Sequence, residues 1–153
     1  MTLEISNRQR TKKINPRLLK QIVAELFAEL KIKEGELGIN LVGAREMTRV
    51  NRQFLQHEGS TDVITFDYLD PAASVQQPAS KLHGELFVCV DEAILQAKPF
   101  KSNWQSEIVR YIVHGVLHLL GHDDLKPSSR REMKREENRL IRRLARKFAF
   151  TQL

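Results

Sequence analysis

The spacing of apolar and polar positions divides the chain into short strands and amphipathic helices. Leu3 to Arg8 reads as a first strand. Asn15-Pro16 has the form of a helix N-cap followed by proline at the first helical position. The helix it opens runs to about Lys31, with Leu19, Val23, Leu26, Phe27 and Leu30 on one face. Glu36 to Val42 alternates as a strand does. Ala44 to Leu55 has helical spacing, with Met47, Val50 and Phe54 inward and Gly59-Ser60 as the break beyond it. Val63, Ile64 and Phe66 are strand formers. Residues 69–82, with Pro71 and Pro78, predict a flexible loop. Gly84 to Val90 predicts a continuous apolar strand, and Asp91 to Lys98 a short helix.

Ser102-x-x-Gln105 has the form of a capping box and opens a helix that ends at Gly121. Pro127-Ser128-Ser129 with Glu132 starts the last helix, whose apolar stripe is Met133, Leu140, Leu144 and Phe148. Strands mixed with helices in this order predict an α/β or α+β fold: a small mixed sheet packed by helices, in a single domain spanning residues 1–153. A domain of this size buries roughly 68–70% of the surface of its unfolded chain, so its core needs no disulfide.

Composition narrows the setting. The single cysteine, Cys89, sits in the apolar run 86–90 and reads as a small buried hydrophobe. A lone cysteine, with no signal peptide visible in Met1 to Arg10, suits the cytoplasm. The longest apolar stretch, around residues 108–120, is too short to span a bilayer, so no membrane role is expected. The formal charge of +6 is concentrated: residues 126–147 hold ten Lys/Arg against three Glu. That excess favours an anionic partner such as nucleic acid or a membrane surface.

The chemistry lies in His114-Gly-Val-Leu-His118-Leu-Leu-Gly121-His122-Asp123-Asp124. Histidines four apart on a helix stack on one face, one turn apart, and can bind one metal ion from one side. Gly121 can end the helix in a left-handed turn and bring Asp124 back to the same ion. Three protein ligands plus water is the pattern of an open, catalytic zinc site. His122 competes for the third position, and Asp123 is a further alternative or a turn former. Two imidazoles in so apolar a helix need partners. Burying an unpaired polar group costs roughly 1–3 kcal/mol; core histidines bonded to backbone would also meet that need.

These residues resemble the signature of YbeY-type endoribonucleases, His-Gly-x-Leu-His-Leu-x-Gly-(His/Tyr)-Asp-His. Asn51-Arg52-Gln53-Phe54 with Thr61-Asp62-Val63-Ile64-Thr65-Phe66, Gly84-Glu85-Leu86-Phe87-Val88 and Gln96-Ala97 are similar to the family's other motifs, in the same order over residues 40 to 125. The resemblance implies an α/β fold with a mixed sheet and one zinc ion. It also implies cleavage of single-stranded RNA, notably in maturation of small-subunit rRNA, and work on or near the ribosome or its assembly factors. Two positions depart from the pattern. Asp124 stands where the family has its third His; a carboxylate binds zinc at about 2.0–2.2 Å, and its negative charge makes the site friendlier to harder ions such as Mn²⁺. Leu55 stands where the family has an Arg near RNA phosphate. Arg49, Arg52, Arg139, Arg142 and Arg143 are the candidate RNA contacts in its place.

The expected reaction uses water on a metal held by His114, His118 and Asp124, which lowers its pKa to roughly 7. Asp62 and Glu85 are candidate general bases. The 2′-hydroxyl of the RNA is an alternative nucleophile. A peptidase of the metzincin kind is disfavoured because Gly115 holds the place of its catalytic Glu. A non-catalytic RNA- or ribosome-binding assembly factor with a structural metal is the alternative outside enzymes. His57 and His83 read as loop histidines at the surface, and Trp104 as packing.

Overall fold

Residues 1–69 and 81–153 are described by a computed structural model. In chain order the elements are β1 (Thr2–Asn7), α1 (Pro16–Glu29), β2 (Glu34–Val42), α2 (Ala44–Leu55), β3 (Val63–Asp67), β4 (Lys81–Cys89), α3 (Val90–Ala97), α4 (Trp104–Leu119) and α5 (Pro127–Lys147), then a 3₁₀ turn at Phe150–Gln152. The strands form one mixed sheet in the order β1-β2-β4-β3. β1, β2 and β4 run parallel, and β3 is an antiparallel edge strand on β4. This is the α+β architecture expected of a small mixed sheet packed by helices.

Side chains alternate across a strand, so each face of the sheet takes every second residue. Leu37, Ile39 and Leu41 of β2 and Leu82, Leu86 and Val88 of β4 enter the main core, together with buried residues of α1, α3, α4 and α5. The opposite face carries a smaller cluster, Val42, Met47, Val50, Ile64 and Cys89, under α2. Cys89 is buried there as an unpaired thiol.

Asn15 caps α1 by accepting the backbone N–H of Leu18, with Pro16 inside the helix start. Other local expectations shift. The cap of α4 is Asn103, whose side chain accepts the N–H of Ser106 at 2.8 Å, not Ser102. α2 ends at Leu55 through Gln56 in the left-handed conformation, before Gly59-Ser60. Phe54 is 58% exposed: α2 outruns the small cluster below it, and the ring rests edge-on against Phe66 instead. The expected loop at 69–82 is shorter at its end, because Lys81 and Leu82 already belong to β4. Pro71 and Pro78 lie outside the described residues. His83 is a strand residue, 3.6 Å from Glu36, and His57 is exposed beyond α2.

Two glycines let the histidine helix lie close on the sheet. A methyl group at Gly115 would stand 2.7 Å from Leu86 Cδ2. One at Gly84 would stand 2.6 Å from both the Phe66 carbonyl oxygen and Leu119 Cδ2. Phe66 O is backbone paired in the sheet and cannot rotate away. Gly84→Ala is therefore expected to destabilise the fold by about 1–3 kcal/mol, read as a lower urea midpoint at unchanged slope.

Candidate metal centre

From Tyr111 to Leu119 α4 is apolar apart from its two histidines, which are half-buried. Beyond Leu119 the chain turns in a Schellman arrangement: Gly121 N–H donates to the His118 carbonyl and His122 N–H to the Leu117 carbonyl, each at 3.0 Å. Gly121 has φ of 100°, which favours glycine. The turn carries the chain back over the last helical turn, and Asp124 arrives beside the histidines. One ligand atom from each of His114, His118 and Asp124 lies within 4.8 Å of the others. His118 Nε2 is 4.0 Å from Asp124 Oδ2.

The imidazoles are held from behind. His118 Nδ1 is 3.1 Å from the His122 carbonyl oxygen, which accepts only from a protonated Nδ1. His114 Nδ1 points toward Glu137, 3.9 Å from Oε2. The two Nε2 atoms face each other 3.1 Å apart: a hydrogen bond when one of them carries a proton, and two facing lone pairs when both rings are protonated on Nδ1. Two facing lone pairs repel unless a cation is shared between them. Zinc–nitrogen bonds of about 2.0–2.1 Å bridge that separation. The donor set therefore fits one divalent ion. Burial and the neighbouring His114 push the His118 imidazolium pKa down, which favours the neutral form a metal requires.

Glu137 is the site residue that the sequence reading missed. It lies on α5, only 4% exposed, within 3.5 Å of Arg110 and 3.6 Å of Lys134. Burial works against its charge, but His114, Lys134 and Arg110 outweigh it and hold the carboxyl below its usual range. A carboxylate behind a metal-facing histidine fixes the ring and raises its basicity. The local signal was its position: Glu137 falls on the apolar stripe of α5, four residues after Met133 and three before Leu140.

The comparisons with known proteins join this geometry. Residues 4–145 match the profile of the family described as endoribonuclease YbeY. The chain belongs to the YbeY family. A YbeY endoribonuclease of Chlorobium phaeovibrioides is 34% identical over 142 residues, 93% of this chain and 90% of that one. One from Parabacteroides distasonis is 35% identical over 119 residues, 78% of this chain and 76% of that one. Among solved structures, a Thermotoga maritima protein shares the fold, with a TM-score of 0.65 and 22% identity, covering 93% of this chain and 88% of that one.

The other candidate residues of this YbeY chain divide by position. Asp62 lines the same cavities as His114 and Asp124. Its Oδ1 accepts the Val63 N–H at 2.7 Å, leaving Oδ2 without a hydrogen bond among the described residues. Glu85 is on the other face of the sheet. It sits one position from Leu86, which packs on α4, and it takes hydrogen bonds from Asn40 and Tyr68, each at 2.7 Å. The strand alternation turns it away from the histidines, so it does not serve them as a base. His122 contributes its carbonyl, while its ring lines a separate cavity with Asp123, Ser129 and Glu132. Leu55 lines the cavity that holds His118.

The arginines expected to meet RNA are not those at the site. Arg49 and Arg52 lie exposed on α2, and Arg52 is 3.4 Å from Glu58. Arg139 is paired with Glu136 through two contacts of 2.9 and 2.5 Å, and Arg143 with Glu29 at 2.6 Å. Arg142 is exposed with no ion pair among the described residues. The cations that line the cavity with His114 are Arg110, Arg130 and Lys134. Arg130 also ties the loop down, its Nε donating to the Asp124 carbonyl at 3.2 Å.

Proposed function

We propose that this chain is a metal-dependent endoribonuclease that cuts single-stranded RNA, acting as one domain in the cytoplasm in maturation of small-subunit rRNA and ribosome quality control. The observation that carries the reading is the pair of Nε2 atoms 3.1 Å apart, backed by a carbonyl and a buried carboxylate, in a chain of the YbeY family. His114, His118 and Asp124 would hold the ion, zinc in the first instance, with Mn²⁺ admitted by the carboxylate. A divalent cation there supplies Lewis acidity and positive charge beside the phosphate.

The protein's own groups do the rest. Glu137 and the His122 carbonyl keep the two imidazoles oriented. Asp62, whose Oδ2 has no hydrogen bond among the described residues, would take the proton of the attacking hydroxyl, from water or from the ribose 2′-position. Arg130 and Lys134 hold the strand through its phosphates, without reading sequence, and Arg142 extends that contact outward. A ribosomal or assembly partner would meet the same basic surface. No helix among the described residues is long and apolar enough to cross a membrane.

The test compares cleavage of one RNA as a single strand and annealed to its complement, with and without chelator. Cleavage of the single strand alone, abolished by chelator, is expected. If the protein binds RNA equally with and without metal and never cuts it, the chain is a non-catalytic assembly factor.

A further inference from the structure

Phe100 is 81% exposed at the turn between α3 and α4 and lines the cavity of about 560 Å³ that also holds His114 and Asp124. The backbone of the turn is held by its own hydrogen bonds. Lys101 N–H donates to the Lys98 carbonyl at 3.2 Å and Ser102 N–H to the Ala97 carbonyl at 3.0 Å. Lys101 takes a φ of 49°, a left-handed conformation uncommon outside glycine. Lys98 and Lys101, two residues before Phe100 and one after it in the chain, are exposed. Arg130 and Lys134, also exposed, line the same cavity from α5. The carboxylates lining it are Asp62 and Glu107, half-buried, Glu137, buried, and Asp124, exposed beside the histidines. Solvent meets an exposed aromatic side chain in the same cavity as two exposed cations, Arg130 and Lys134, and as His114 and Asp124. That combination binds single-stranded nucleic acid: bases stack on the ring while cations follow the backbone. A duplex keeps its base faces covered by neighbouring pairs and has none to offer.

We propose that Phe100 is the stacking platform of a nucleotide subsite beside the metal centre, with Lys98, Lys101 and Arg130 meeting the flanking phosphates, and that this subsite sets the preference for single strands. The proposal rests on the site being an RNA-cleaving centre.

The test uses the full chain, loaded with zinc, and a short single-stranded RNA carrying 2-aminopurine, whose fluorescence is quenched on stacking. Phe100→Ala, exposed and free of core contacts, should melt like wild type. It is expected to lose the quench and raise KM roughly tenfold, with kcat within about twofold. Phe100→Tyr and Phe100→Trp should keep both the quench and the wild-type KM. If Phe100→Ala retains the wild-type quench, KM and single-strand preference, the subsite is refuted while the ribonuclease reading stands. If wild type neither binds nor cuts the RNA, both fall together.

Discussion

RNA cleavage by His114→Ala or His118→Ala is expected to fall more than about a hundredfold below wild type, since even groups one layer behind a metal ligand cost 10–100-fold. Each substitution removes one of the two nitrogens that face each other at 3.1 Å and leaves the other with Asp124 alone. Two ligands 4.0 Å apart at closest, one on an exposed loop, cannot hold an ion as three do. The fold should survive, because both rings are only half-buried and α4 is anchored by its apolar residues on the other sides. Circular dichroism melting checks this. Single-turnover cleavage of single-stranded RNA at saturating protein then reads the chemical step without a binding term. The double variant should lose no more than the stronger single one, because the two rings act as a unit.

Glu137→Gln is the second large effect. The change is nearly isosteric, so packing against Met133 and Leu140 persists. The charge behind His114 is lost, and with it the ion pairs to Arg110 and Lys134. Metal affinity or activity should drop about 10–100-fold, measured by competition with a chromophoric chelator and by kcat/KM. If the loss is one of affinity, excess zinc restores the rate. If the carboxylate also raises the basicity of His114, a residue remains at saturating metal. Glu137 holds a depressed pKa in the folded protein, so its contribution to stability is full above the ordinary carboxylate range and is lost as pH falls from that range through its lower folded pKa. Glu137→Gln should therefore flatten the acid limb of the stability profile of metal-free protein.

Much of the fold was legible because it is written in local patterns. The Asn15-Pro16 cap, the helix over Ala44–Leu55 and the stop at Gly121 depend on residues adjacent in the chain. The juxtaposition of His114 and His118 was legible for the same reason: a four-residue spacing on a helix is a statement about one face. What failed was tertiary. Glu85 looked like a base beside a motif, yet strand alternation, with Leu86 inward, already put it on the far side of the sheet. Arg143 looked free in a basic helix because its partner, Glu29, is 114 residues away. Glu137 looked like one of three solvated glutamates; only its place on the apolar stripe set it apart. Phe54 had the right spacing to be inward, but it meets only Phe66 of the edge strand β3 and stays 58% exposed.

The most direct test of the metal centre is a titration of chelator-stripped protein with zinc, following single-stranded RNA cleavage against metal bound. Activity should be absent at the start, rise linearly and level off at one ion per chain, and His118→Ala carried through the same titration should stay flat. Full cleavage by the stripped protein, or equal recovery by the variant, would contradict a catalytic ion on His114, His118 and Asp124.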